Sequence, residues 1–283
     1  MNPLLTVSVV THNSEEVIGE LLGSLRGSTL FPERVRVVVA DNGSLDSTVE
    51  RVRDLLPEAE VIRLPNRGYG FGHNELFRRY GRQSPCFLIL NPDISFGPDL
   101  LETLTDFLLK HPDRCALMPR VLGPDGKDQE LVKLLPTPAD LFLRRFIPAP
   151  LRSLFSARER RYRMASFSRD LPLEVPHLSG CCLMVRSEAF ERVGLFDERF
   201  FLYMEDIDLC RRLGEISPLL YLPWASVTHG FDRLSYRSLH GLLLHLSSAW
   251  KYFHKWGWRR DPLRDEANQR ATDQDQRRLS TLL

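Results

Sequence analysis

The sequence predicts an α/β domain built on a mostly parallel sheet, extended at its C-terminal end by a helical element. Strand-like and helix-like stretches alternate through the first half, which implies β-α-β units with right-handed crossovers. The apolar run Val35 to Ala40 is interrupted only by Arg36, as suits a parallel strand covered on both faces. The 283 residues are many for one small domain and few for two large ones.

Thr6 to Thr11 (TVSVVT) opens the chain as a β-branched strand, and Glu15 to Leu25 follows with Val17, Ile18, Leu21, Leu22 and Leu25 at helical spacing. Asn13, with Glu16 three residues on, is the expected cap of that helix. After Val35 to Ala40, the turn Asp41-Asn42-Gly43-Ser44 leads into a helix from about Asp46 to Leu56. A strand near Val61 to Leu64, a glycine-rich loop, a helix through Tyr80, a strand at Cys86 to Leu90 and a helix from Pro98 to Lys110 continue the cycle. Between about 127 and 176 the rhythm fails. Prolines at 136, 138, 148 and 150 break a stretch carrying Arg144, Arg145, Arg152, Arg158, Arg160, Arg161 and Arg163, which reads as a basic insertion with short helices. A strand at Cys181 to Val185 and a helix at Ser187 to Val193, opened by a serine cap, restore it. Helices from about Glu205 to Gly214 and from Ser235 to Trp256 follow, and the chain after Arg259 is polar enough to be disordered. The expected division is a domain over 1–230, a helical extension over 231–258 and a polar tail over 259–283.

With 38 Lys+Arg against 37 Asp+Glu, the formal charge of +1 argues against nucleic-acid binding driven by net charge. The 43% apolar and 10% aromatic content separates the chain from disordered and collagen-like classes. No apolar run approaches the roughly 18 residues that cross a bilayer, and Met1 to Val10 lacks a signal-peptide pattern. Five cysteines without a C-x-x-C pair suit small buried side chains and a cytoplasmic setting.

Ligands of parallel sheets sit at the carboxyl ends of the strands, so Thr11 to Asn13, Asp41 to Ser44 and Asn91 to Asp93 share one rim. Asp41 either accepts a ring N–H, as a pyrimidine base would offer, or closes an Asx turn. The alternating glycines of Asn66-Arg67-Gly68-Tyr69-Gly70-Phe71-Gly72-His73-Asn74 either admit an anionic ligand to a helix N-terminus or form a flexible connection. Asp93 reads as a carboxylate for a divalent cation already held by phosphates, or as a turn residue.

Five carboxylates interleave with aromatics between Phe196 and Leu209, which suits a cleft wall. Asp206 and Asp208, two residues apart on a helix, diverge, so one faces the cleft as a base and the other is structural. The alternative is capping plus ion pairs with Arg211 and Arg212. His229 ends a strand and reads as a core histidine, a metal ligand or a phosphate contact.

THNS at 11–14, DNGSLDST at 41–48, NRGYGFGHN at 66–74, LNPDI at 90–94 and GLFDERFFLYMEDIDLCRRL at 194–213 occur in one order. Together they resemble family 2 glycosyltransferases, in particular the bacterial rhamnosyltransferase-like branch that builds cell-surface polysaccharide. The resemblance implies an A-type glycosyltransferase fold, a Rossmann-like domain that binds a nucleotide sugar, and inversion at the anomeric carbon. It implies that Thr11, Asn13 and Asp41 surround the nucleotide, that Gly68 and Asn74 border the donor, and that Asp93 binds Mg²⁺ or Mn²⁺ with His229 assisting. It implies that Asp206, in the Glu205-Asp206 pair, is the catalytic base. Asn91 stands where the family's first metal-site aspartate often lies. That keeps a second expectation open, a non-catalytic nucleotide-sugar or glycan binder acting with a partner enzyme.

The expected donor is a dTDP- or UDP-sugar, with rhamnose or a related hexose, and the expected acceptor a growing cell-surface glycan or a lipid-linked sugar. Trp250, Tyr252, Phe253, Trp256 and Trp258 lie among Lys251, Lys255, Arg259 and Arg260, which suits the inner surface of the plasma membrane, a packed helix or a homodimer contact.

Overall fold

The computed structural model describes residues 2–146, 153–230 and 238–282, and among them the side chains of all but 144–146 and 275–282. The side chains of Arg144 and Arg145, with Pro148, Pro150 and Arg152, lie outside the described residues, as does the expected division between 230 and 231.

Strand β1 (Leu5–Thr11) is buried along its whole length and becomes the centre of a parallel block. Its neighbours are β2 (Val35–Asp41) on one side and β4 (Cys86–Leu90) on the other, with β3 (Glu60–Arg63) beyond β2. Valine, isoleucine and leucine dominate β1, β2 and β4 because both faces are covered and the branched side chains pack on the pleat, while the edge strand β3 is only half-buried. The second half of the sheet is mixed. It contains β8 (Cys182–Arg186), β6 (Ala116–Leu122), β9 (Leu219–His229) and β5 (Ile94–Phe96), giving the order β3-β2-β1-β4-β8-β6-β9-β5, with β7 (Leu173–Val175) paired to β9.

Helices α1 (Ile18–Arg26), α2 (Thr48–Leu55), α3 (Tyr69–Tyr80) and α4 (Leu100–Lys110) cross over between the early strands. Ile18, Leu21, Leu22 and Leu25 of α1 form the apolar stripe that the sequence spacing predicts, buried in the main core, whereas Val17, expected in the same stripe, precedes the helix and is exposed. Asn13 does not cap this helix. It adopts a left-handed φ of 50°, and its Oδ1 accepts the Leu45 N–H at 2.8 Å, tying the first rim loop to the second. The insertion contributes α5 (Pro138–Phe146) and α6 (Ser156–Tyr162). In α7 (Ser187–Arg192) the expected serine cap is absent, because Ser187 Oγ donates instead to the Ser84 carbonyl at 2.7 Å.

Helix α8 (Glu205–Gly214) matches its expected bounds, and α9 (Leu239–Trp256) starts at Ser238, whose Oγ accepts the Gly241 N–H at 3.0 Å. The tail expected to be disordered is a helix, α10 (Pro262–Leu282). Its own composition gives little drive to fold, and distant partners supply it. Arg211 and Asp261 form a two-pronged buried ion pair at 2.5 and 2.7 Å, Asn268 exchanges both amide atoms with the Leu135 backbone, and Ala271 is in the core. Arg211 also lies 4.0 Å over the Trp256 ring. Tyr252 and Phe253 of α9 join Leu135, Phe200, Met204 and Ile207 in a second apolar cluster behind the start of α8.

Two outcomes follow from these buried polar groups. Arg211→Ala leaves Asp261 buried without its partner, and urea unfolding should show a loss of about 3–5 kcal/mol. His73, fully buried with Nδ1 2.7 Å from Ser8 Oγ, is pulled down to about 3 by burial. The unfolded chain therefore binds a proton that the native one refuses as pH falls from about 6.5 toward 3. Over that window the stability of the protein should decline relative to His73→Gln by about 1.4 kcal/mol per pH unit, measured by denaturation at stepped pH.

Candidate active site

Three strand registers assemble the rim. Thr11 pairs with Asp41 across β1 and β2, Leu90 with Cys182 across β4 and β8, and Ile94 with His229 across β5 and β9. The segments just beyond each pair are thereby brought side by side, although up to 138 residues separate Asn91 from His229.

At one end of the rim, Asp41 is buried and accepts Thr11 Oγ1–H on Oδ1 and the Ser44 N–H on Oδ2, both at 3.1 Å. Asn13 N–H donates to Ser44 Oγ at 2.8 Å. The carboxylate thus closes its own turn, and two of its roughly four lone-pair positions stay open for a ligand.

The glycines of the loop, read as an anion cradle or a flexible connection, make close contacts with the protein. Gly68 takes φ 112°, and a Cβ there would lie 2.8 Å from Phe201 Cα and overlap its carbonyl. A Cβ on Gly70 would meet Phe196 at 2.8 Å, and one on Gly72 would meet Val10 at 2.7 Å. All three glycines face protein: Gly68 and Gly70 let the start of α3 pack against the segment before α8, and Gly72 lets it pack on β1. Asn74 belongs to the same contact: its amide bonds Phe196 N and O at 3.0 and 2.9 Å and Glu198 Oε1 at 2.9 Å. Buried and bonded through both ends of its amide, it is a clamp on that segment.

At the centre, Tyr69 OH lies 2.8 Å from the Gly180 carbonyl and 3.0 Å from Asn91 Oδ1, its single hydrogen shared between them. Burial, with the charges of Asp206 and Asp93, pushes this phenol well up, so it remains a donor. Asp93 Oδ1 faces His229 Nε2 at 3.3 Å. Gln129 Nε2–H donates to the His229 carbonyl at 2.8 Å, which turns its Oε1 to His229 Nδ1 at 3.1 Å and fixes the ring proton there. The other ring nitrogen, Nε2, is thereby turned toward a carboxylate oxygen of Asp93. That arrangement fits a cation between them, with Asn91 Nδ2–H 3.3 Å from the same nitrogen. Among the described residues no group of three or more His, Cys, Asp or Glu gathers as a complete metal cage. One carboxylate and one imidazole are enough where a diphosphate and water complete the shell.

Glu205 and Asp206 begin α8 after two left-handed residues, Tyr203 (φ 69°) and Met204 (φ 68°). This turn is held from behind by Ser248 Oγ–H donating to the Leu202 carbonyl at 2.8 Å. Burial would raise both acids. For Asp206 the His177 imidazole and the N–H groups of Gly180 (3.1 Å) and Ile207 (2.8 Å) outweigh it and hold this carboxyl below its usual range. Glu205, with Oε2 unpartnered, is driven well up by burial and by the Asp206 charge. Asp206 is therefore the ionised member and Glu205 a neutral acid, not a second base. Asp208 is fully buried and is the structural member of the divergent pair. It pairs with Arg212 at 2.8 Å, Lys255 at 2.6 Å and Trp256 Nε1–H at 2.8 Å.

Tyr69, Gln129 and His177 join the site without having been singled out. Tyr69 lies inside a motif that could have flagged it, whereas Gln129 and His177 sit in irregular stretches with no local pattern. Thr11, Asn13 and Asp41 form one end of the rim, Asn91, Asp93, His229, Glu205 and Asp206 gather round Tyr69, and Asn74 holds Phe196 and Glu198.

Residues 6–194 match Glycosyl transferase family 2. The chain is 32% identical over 286 residues to an N-acetylglucosaminyl-diphospho-decaprenol L-rhamnosyltransferase of Mycobacterium tuberculosis, covering 93% of this chain and 89% of the relative. It is 27% identical over 267 residues to the rhamnosyltransferase WbbL of Escherichia coli, covering 88% and 92%. The mannosyltransferase PcManGT of Pyrobaculum calidifontis, solved with GDP-Man and Mn²⁺, superposes with a TM-score of 0.57 at 18% identity over 89% of this chain and 65% of that one. The likeness in fold identifies the A-type architecture. The chain belongs to glycosyl transferase family 2 and is an inverting, nucleotide-sugar-dependent glycosyltransferase.

Proposed function

We propose that this enzyme transfers rhamnose, or a related hexose, from a dTDP- or UDP-sugar to a sugar hydroxyl on a lipid-linked diphosphate acceptor. The observation that carries the reading is the Tyr69 hydroxyl, which touches the Asn91 side chain beside Asp93 and His229 and also the Gly180 carbonyl beside Asp206. A hexose held there has a carboxylate on the acceptor side and a cation-binding pair on the leaving-group side. The rhamnosyltransferase names of the two relatives support the sugar, and the mycobacterial relative's name supports the acceptor.

In this reading Asp41, with Thr11 and Asn13, receives the base of the nucleotide. Asp93 and His229 would hold Mg²⁺ or Mn²⁺, whose contribution is to neutralise charge on the departing diphosphate. The acceptor oxygen attacks the anomeric carbon as the bond from that carbon to the diphosphate oxygen breaks and its electron pair departs with the diphosphate. Asp206 takes the hydroxyl proton. One displacement with one base inverts the configuration and needs no nucleophilic carboxylate. Glu205, neutral and buried beside Asp206, keeps a second negative charge out of the acceptor site.

A lipid-linked acceptor also gives α9 an occupant. Leu239, Leu243, Leu246 and Trp250 are exposed at spacings of four, three and four, forming one apolar stripe. Trp258, Arg259 and Arg260 are exposed just beyond it. An apolar stripe with adjoining cations suits the surface of an anionic bilayer. No helix among the described residues is long and apolar enough to cross a membrane.

Asp206→Asn should lower turnover of dTDP-rhamnose on an N-acetylglucosaminyl diphosphate prenol by about 10²–10⁴-fold, while calorimetry shows unchanged donor binding. Full turnover in this variant would remove Asp206 from the mechanism. The double variant Leu243→Ser with Trp250→Ser should lose about tenfold or more in co-flotation with phosphatidylglycerol vesicles and keep its turnover on a short-chain, water-soluble acceptor. If the native chain instead dimerises through this stripe and ignores the vesicles, the stripe is a contact between copies.

A further inference from the structure

His177 lies between β7 and β8, is 6% exposed, and belongs to none of the motifs that mark the family resemblance. Its loop is fastened to α8 and to the sheet. Leu178 N–H meets Cys210 Sγ, and Cys210 S–H donates back to the Leu178 carbonyl, both at 3.3 Å. Ser179 N–H points at Met118 Sδ, 3.2 Å away. Such anchoring leaves the imidazole little freedom, and its Nε2 comes to 3.5 Å from Asp206 Oδ2. That contact is long, as hydrogen bonds in substrate-free sites commonly are before the reacting complex tightens them.

The lone pairs of Asp206 can be counted. A carboxylate offers about four acceptor positions, two on each oxygen. Oδ2 faces the Gly180 N–H and His177 Nε2, while Oδ1 takes only the Ile207 N–H. With three positions used, one remains, on Oδ1. We propose that His177 is a positioning residue that occupies Oδ2 of Asp206, so that Oδ1 alone is presented to the acceptor hydroxyl and receives its proton. The inference rests on the reading of Asp206 as the base. Without the imidazole, Oδ2 regains a free lone pair, the carboxyl group can rotate, and the proton has two competing destinations.

The electrostatic consequences agree. The groups facing Asp206 are His177 and Gly180 from the loop before β8, Glu205 on its own helix, Tyr69 from α3, and the buried Cys181 and Cys210 thiols. Of these side chains His177 favours the anion, while a charge on Glu205 would oppose it.

The test compares His177→Asn, whose amide is too short to reach Oδ2, with His177→Gln, whose amide can. Transfer from dTDP-rhamnose to an N-acetylglucosaminyl diphosphate prenol is measured across pH 5 to 9, beside donor binding by calorimetry and an Asp206→Asn control. The expected result for His177→Asn is a kcat at least about tenfold lower with an acid limb moved to higher pH. Donor affinity should be unchanged in both variants, and His177→Gln should recover most of the rate and the original limb. Native kcat and an unmoved limb in His177→Asn, with Asp206→Asn inactive, overturn the role of His177. Equal losses in both variants with unmoved limbs do the same, since a merely structural contact would give that outcome. An active Asp206→Asn overturns the base assignment itself, which keeps the two failures distinct.

Discussion

Two carboxyl groups side by side at the start of one buried helix cannot both carry charge at low cost, and the protein resolves this by giving them unequal surroundings. Asp206 receives two backbone N–H groups and faces an imidazole, while Glu205 has an oxygen with no partner. Hydrogen bonds to the charged form favour it, and burial without them disfavours it, so the two acids separate into a carboxylate and a neutral acid. The left-handed turn at Tyr203 and Met204 and the support of Ser248 on α9 keep this asymmetry in place, because the acids enter the site only at that one turn. Strain of this kind survives where surrounding packing over-determines it. Here the packing is the cluster of Phe200, Met204 and Ile207 against Tyr252 and Phe253.

The same logic explains why the C-terminal helices matter to a site that they do not enter. Helix α9 stands behind the acidic turn, and α10 is fixed to α8 through Arg211 and Asp261. Removing the charge partner of a buried group costs more than the pair contributes when intact, so this lock resists piecemeal loosening. Lys255 adds a second tie by reaching both Asp197 and Asp208, one before α8 and one on it. The exposed face of α9 is therefore mechanically continuous with the turn that presents Asp206.

Much of the sheet and the positions of its acids could be read from the sequence. Asp41 and Asp93 follow apolar runs directly, and strand tips in a parallel sheet share an edge. Divergence on a helix separated Asp206 from Asp208 before any contact was known, and Asp208 does hold an arginine. What could not be read depended on partners remote in sequence. Gly68, Gly70 and Gly72 announce close approach but not to what, and their neighbours are Phe201, Phe196 and Val10. Asn74 looks polar and available, yet Phe196 and Glu198 consume its amide. Gln129 and His177 lie in irregular chain where neither periodicity nor motif singles out a residue. The helix over 262–282 has a polar composition that reads as disorder, because the groups that anchor it belong to α8 and to the Leu135 segment.

Asn91 illustrates how a departure from the family's pattern can be physically coherent. An aspartate there would set a second anion beside Asp93 and would have no N–H to offer His229 Nε2. The amide instead accepts from Tyr69 OH and turns its N–H toward the imidazole, so one neutral side chain joins the tyrosine to the histidine. The consequence is electrostatic. With one carboxylate at this point of the rim, protein charge alone would balance only half of a divalent cation held by Asp93 and His229, and a phosphate-bearing ligand would have to supply the remainder. Such a cation and such a ligand would then bind together, each weakly alone.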